Sequence, residues 1–139
     1  MRVFLDTNVL VTAFAARGLR GPIRELVLME HELILGRSVL RELSKALQQE
    51  IKLSARDATA FVTFLSDEAT ELVESSDPVT AAVDRDDAIV LGDAVKGHAE
   101  AFVTGDAKIL DLGRHGDLRI VSPRAFWELL QTERSTRRR

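Results

Sequence analysis

Asp6 stands directly after the apolar run Val3-Phe-Leu5, and Thr104-Gly-Asp106 directly after the run Ala101-Phe-Val103. Glu42 lies one turn inside an amphipathic stretch that follows a further run, Glu32-Leu-Ile-Leu35. Asp84, Asp86 and Asp87 crowd the opening of another amphipathic stretch. If the runs are strands, the acids collect where strands end and helices begin, the edge at which open α/β sheets bind ligands. Each acid also has a plainer reading. Aspartate is a common N-cap and suits a helix dipole, so Asp87 or Asp106 alone could simply start a helix. Asp6 is harder to dismiss, because a parallel sheet normally keeps charge away from the end of a central strand. Two unit charges ~4 Å apart repel by roughly 4 kcal/mol at an effective dielectric of ~20, so a convergent set needs a cation or protons.

The donor chemistry narrows the cation. Cysteine is absent, and His31, His98 and His115 are scattered without ligand spacing; they read as surface or loop residues. Oxygen donors alone suit the hard ions Mg²⁺ and Mn²⁺. An acid-lined site of that kind, with no obvious nucleophilic side chain, suggests metal-activated water attacking a phosphodiester.

The elements that must hold these acids alternate between strand and helix. Strands are predicted at Val3–Leu5, Glu32–Leu35, Thr70–Val73, Ala101–Val103 and Leu118–Val121. Helices are predicted over Ile23–Met29, over Val39–Gln49 with Ser38 as cap, after Ser54, over Asp87–Lys96, over Asp106–Leu112 and over Arg124–Gln131. The last starts on Ser122-Pro123, a capping serine with proline at the first helical position. Short, fully apolar strands alternating with helices indicate an α/β domain. Its expected centre is a parallel sheet of about five strands with helices on both faces. The 139 residues suit one domain, read as residues 1–132 with a basic, flexible tail over 133–139.

Charge and composition exclude other classes. Apolar residues make up 45% and charged residues 29%, which argues against disorder. The net charge of −3 is not the basic balance of a duplex-binding protein, although the last six residues hold four arginines. No run approaches the ~20 apolar residues of a spanning helix, and no leader pattern is visible, so a soluble cytoplasmic protein is expected. No dinucleotide or P-loop glycine pattern occurs. A dehalogenase-type phosphatase would need an aspartate where Asn8 stands.

Several segments together resemble the PIN-domain ribonucleases. Val3-Phe-Leu-Asp-Thr-Asn-Val-Leu10 is similar to that family's opening strand and acid. Ser38-Val-Leu-Arg-Glu-Leu43 is similar to its second acidic segment, Asp87-Ala-Ile-Val-Leu-Gly-Asp-Ala94 to its third and Phe102-Val-Thr-Gly-Asp106 to its fourth. Ile120-Val-Ser-Pro-Arg-Ala-Phe126 resembles the closing strand and helix. The ordered set looks most like the toxin-like branch, which includes the VapC-type toxins. The resemblance implies a Mg²⁺- or Mn²⁺-dependent endoribonuclease on single-stranded RNA. Asp6, Glu42, Asp87 and Asp106 would hold one or two ions, and Asn8 and Thr104 would steady the acids. It also implies a cognate antitoxin and a homodimer, for which the helices over Ile23–Met29 and Ala58–Leu65 offer apolar surface. A housekeeping PIN nuclease and a non-catalytic PIN-fold interaction domain are the alternatives.

The third ligand has four candidates. Asp87 shares a helical stripe with Val90, Leu91 and Ala94, so it should stand at the sheet's carboxyl edge. Asp86 and Asp84 follow as outer ligand or cap. Asp93, about 240° around from Asp87, is expected to be a surface acid. Arg17, Arg20 and Arg24 flank a glycine loop and read as an RNA-backbone contact or a solvated loop. The tail arginines read as a solubilising end, and Phe126 and Trp127 as core packing.

Overall fold

The computed structural model describes residues 1–17, 20–74 and 77–137. The chain alternates β1 (Arg2–Leu5), α1 (Thr7–Arg17), α2 (Arg20–Leu28), β2 (Glu32–Gly36), α3 (Arg37–Gln49), α4 (Ala55–Glu68) and β3 (Glu71–Val73). It continues through α5 (Arg85–Lys96), β4 (Ala101–Val103), α6 (Ala107–Leu110), β5 (Arg114–His115), β6 (Leu118–Val121) and α7 (Pro123–Arg137). The strands form one sheet in the order β3-β2-β1-β4-β6-β5. Five are parallel, as the apolar runs predict, but the sheet is mixed: β5 pairs with β6 antiparallel at the edge. The sequence reading misses β5 because Arg114-His115 has no apolar face to announce it.

The topology places the functional edge. From β1 the chain winds outward through β2 to β3, then returns to the other side of β1 with β4 and β6. The strand order therefore reverses between β1 and β4, and a crevice opens at their carboxyl ends. Both strands are buried, and Phe4 stacks on Phe102 with ring centroids 5.4 Å apart. The opposite end is tied by Arg2, which donates to Glu32, Glu71 and the Gly97 carbonyl.

Helix starts differ from expectation at α3 and α5. Ser38 does not cap α3; Gly36 occupies that position, and Ser38 lies inside the first turn. Asp84 caps α5 by accepting from the Asp87 amide, so the helix opens two residues before Asp87. Asp106 does cap α6, Ser54 caps α4, and Ser122 accepts from the Ala125 amide at the start of α7. α7 runs past Gln131 to Arg137. His31 is a correction: it is buried, with Nδ1 3.1 Å from the Met1 nitrogen and Nε2 2.8 Å from a Glu133 carboxylate oxygen. In the two helices expected to offer apolar surface for pairing, Ile23, Leu26, Ala58, Phe61 and Leu65 pack into the core.

α5 lies unusually close to the sheet. A Cβ at Gly97 would sit 2.5 Å from Ile34 Cγ2 and 3.0 Å from Val73 Cγ2. Gly97→Ala is therefore expected to overpack this contact and cost about 1–3 kcal/mol. Thermal denaturation would check this; an unchanged Tm would mean that α5 can shift off β2 and β3 without loss.

Candidate active site

Asp6 leaves the end of β1, and its backbone amide still bonds the Val103 carbonyl of β4. The side chain is almost wholly buried. It is held by three donors: the Thr104 hydroxyl at 2.8 Å, the Thr7 amide at 2.9 Å and Asn8 Nδ2 at 3.1 Å. A carboxylate offers about four lone-pair sites, so roughly one is left for a further partner. Asn8 uses its other end to accept from the Gly105 amide at 2.8 Å. Thr104 accepts from the Asp106 amide at 3.1 Å. The loops after β1 and β4 are thereby locked together by side chains that all end on Asp6 or beside it.

Asp106 sits in that lock as the cap of α6, accepting from the amides of Lys108 and Ile109. Asp87 approaches from the first turn of α5. Burial raises the Asp6 pKa, and the nearby Asp106 charge adds to this against the lowering effect of its hydrogen bonds. Asp87 is pushed up to about 6, first by desolvation, then by its contact with Asp84 and by the charges of Asp84, Asp106 and Asp6. Three acids from β1, α5 and the β4–α6 loop thus feel one another. Glu42 is exposed on α3 and joins the edge of the group by accepting from the Thr7 hydroxyl at 3.1 Å.

The other candidates separate. Asp84 is the helix cap and also presses on Asp87, while Asp86 is exposed in the same turn. Asp93 is not a surface acid: it is fully buried and accepts from Ser38 Oγ at 3.1 Å. Arg24 is exposed on α2. The side chains of Arg17, Arg20, Arg134 and Arg137, together with Gly18, Arg138 and Arg139, lie outside the described part of the chain. Phe126 is buried as expected, but Trp127 is 49% exposed, which corrects its reading as core. An open pocket lined by Asn8, Thr12, Gly105, Asp106 and Pro123 runs into an apolar groove that ends at Trp127.

A family model described as PIN domain matches residues 2–108, from the first strand through all four acids. The chain belongs to the PIN-domain family. PIN domains are generally nucleases, and they typically use divalent metal ions. Comparison with curated proteins found no match. Among the described residues, no helix is long and apolar enough to cross a membrane.

The donor set of this PIN domain fits a hard divalent cation: carboxylates, one of them buried and raised in pKa, and no sulfur or imidazole. Among the described residues no three acids converge tightly enough to form a ready-made ligand cage. Glu42 stands exposed at the rim, bonded to the Thr7 hydroxyl. The same electrostatics make the metal-free chain pH-sensitive. Between the ordinary value of 3.8 and about 6, folded Asp87 keeps a proton that the unfolded chain has lost. Its contribution to stability is therefore fully present below about pH 4 and lost as pH rises through about 6. In chelator, Tm should fall from pH 4 to 7 for the part due to these acids. Mg²⁺ at pH 7 should restore it and have less effect at pH 5. An equal Mg²⁺ effect at both values would remove Asp87 from the site.

Proposed function

We propose that this PIN domain is a Mg²⁺- or Mn²⁺-dependent endoribonuclease that cleaves single-stranded RNA. The observation that carries the reading is the tie between Asp6 and Asp106 through Thr104 and Asn8 at the point where the strand order reverses, with Asp87 near enough to feel both charges. Asp6, Glu42, Asp87 and Asp106 would hold the ion. When bound, it supplies an acidified water for attack on phosphorus and offsets negative charge on the phosphate. The chain's own contribution is positional. Thr104 and Asn8 keep the Asp6 carboxylate fixed and ionisable, and Asp106 is aimed by its amide bonds in α6. Asp84 and Asp87 crowd their charges together, a repulsion that a bound cation would relieve. The pocket along Asn8, Gly105 and Asp106 is open, as a polymeric substrate requires.

The test is incubation of the purified chain with single-stranded RNA in Mg²⁺, in Mn²⁺ and in chelator. Cleavage in either ion and none in chelator is expected. Cleavage that survives chelation, or no cleavage in either ion, would end the reading.

The biological role we assign is that of a cytoplasmic toxin held in check by a cognate antitoxin protein. The supporting observation is the apolar groove beside the acids, lined by Leu5, Ile23, Leu26, Val103, Phe126 and Trp127. Most of this lining is buried, but Trp127 at its end is 49% exposed, and Trp is favoured at the centres of protein contacts. A homodimer belongs to the same reading. Growth arrest on expression, absent with Asp6→Asn, is expected of a toxin. Light scattering at micromolar concentration that returned 15.4 kDa would remove the dimer.

A further inference from the structure

We propose that Ser38 and Asp93 are positioning residues for the metal centre: their part-buried hydrogen bond locks the first turn of α3 to α5 and so fixes Glu42 relative to Asp87. This rests on the nuclease reading above. Asp93 is fully buried although it stands off the apolar stripe of Val90, Leu91 and Ala94. A carboxylate in that position is costly to desolvate, and a small apolar residue would avoid the cost. Its geometry provides direction rather than cohesion. The Asp93 carboxylate accepts from Ser38 Oγ at 3.1 Å.

Gly36 makes room for the contact. Its φ of −102° is open to any residue, so glycine is not needed there for backbone conformation. What it provides is space: a Cβ at Gly36 would sit 2.6 Å from Asp93 Oδ2. Gly36, Ser38 and Asp93 therefore form one joint at the point where β2 becomes α3, and Asp93 brings α5 into it. Glu42 is four residues beyond Ser38, about 400° and ~6 Å along α3, hence on the same face one turn away. Asp87 is six residues before Asp93, ~9 Å along α5. The joint thus sits between two acids that come from different helices and have no direct tie of their own in this arrangement. Asp6 and Asp106 are already locked together through Thr104 and Asn8. The Ser38–Asp93 bond does the corresponding work for the other pair.

The test measures Mn²⁺ affinity by calorimetry on the purified chain, Tm in chelator, and kcat and KM on single-stranded RNA. Ser38→Ala is expected to weaken Mn²⁺ binding by about 10-fold, the low end of the cost for a direct outer partner, because Ser38 acts on Glu42 and Asp87 only through their helices. At saturating Mn²⁺ its kcat should return toward wild type. Ser38→Thr, which keeps the hydroxyl, should rescue the affinity. Gly36→Ala, which displaces Oδ2 while leaving Ser38 intact, should reproduce the loss. The Gly36→Ala variant decides the matter if Ser38→Ala does not fold. A folded Ser38→Ala or Gly36→Ala chain that binds Mn²⁺ as wild type does, with only Tm lowered, would overturn the positioning role alone. Wild type that binds Mn²⁺ but cleaves no RNA would overturn the ribonuclease reading alone. Wild type that binds no Mn²⁺ overturns both.

Discussion

Asp6→Asn is expected to reduce RNA cleavage by more than roughly 100-fold, beyond the loss usual for an outer-shell residue, while the chain stays folded. The substitution keeps the shape of the side chain and removes its charge. Its cost to the fold is local. The three donors from Thr104, Thr7 and Asn8 now meet an amide with one oxygen, so one of them loses its acceptor. Set against this is the relief of burying a charge beside Asp106, which is what raises the Asp6 pKa. The two effects oppose each other, so Tm in chelator should move little and can rise. Gel-based cleavage and thermal denaturation on the same preparation check both halves. Wild-type cleavage by the variant would mean that the site is misassigned.

The next largest effect is expected at Thr104→Val. The hydroxyl of this fully buried residue donates to Asp6, and it accepts from the Asp106 amide and from Asn8 Nδ2. Valine fills the same volume and does none of this. A buried carboxylate oxygen and an amide then lose a partner at once, a loss of about 1–3 kcal/mol that should lower Tm by roughly 3–12 °C. Cleavage should fall about 10–100-fold, because Asp6 and Asp106 lose the group that spaces them. Thr104→Ser retains the hydroxyl and should recover most of the activity. Equal cleavage by the valine and serine variants would show that Thr104 only fills space.

The parts of the fold that were legible in the sequence are those written in local pattern. Ala101–Val103 and Leu118–Val121 are short apolar runs between turn residues, and both are strands with those bounds. Ser54 is followed by a helical stripe, and it caps α4. Asp93 was misread for a physical reason. Its angle around α5 does turn it away from Asp87, but α5 is covered on more than its sheet-facing stripe, so turning away from Asp87 did not mean turning toward water. What encloses it is the start of α3, some 55 residues earlier in the chain, and no periodicity within α5 reports that neighbour. Ser38 fails as a cap for the same reason: the glycine that takes the cap position is there to admit Asp93. Trp127 follows the buried Phe126 by one residue, a helical step of about 100°, which is enough to carry it out of the core. The acids themselves were legible as types at strand ends. The hydrogen bonds that aim them were not, because Thr104 and Asp6 are 98 residues apart.

That separation also governs when, during synthesis, the candidate site can assemble. β1 leaves the ribosome first, yet its functional neighbour is β4, and β4 in turn is flanked by β6 near the other terminus. Closing a loop of this length costs roughly 4 kcal/mol of chain entropy before any contact repays it. Local pieces such as the α3–α4 pair can form early, but they hold only Glu42. A nascent chain short of Val103 cannot align Asp6 with Asp106 at all, and one short of Val121 leaves β4 as an unpaired edge. The site is therefore expected to form in a single late step, when the last strands dock, rather than growing with chain length.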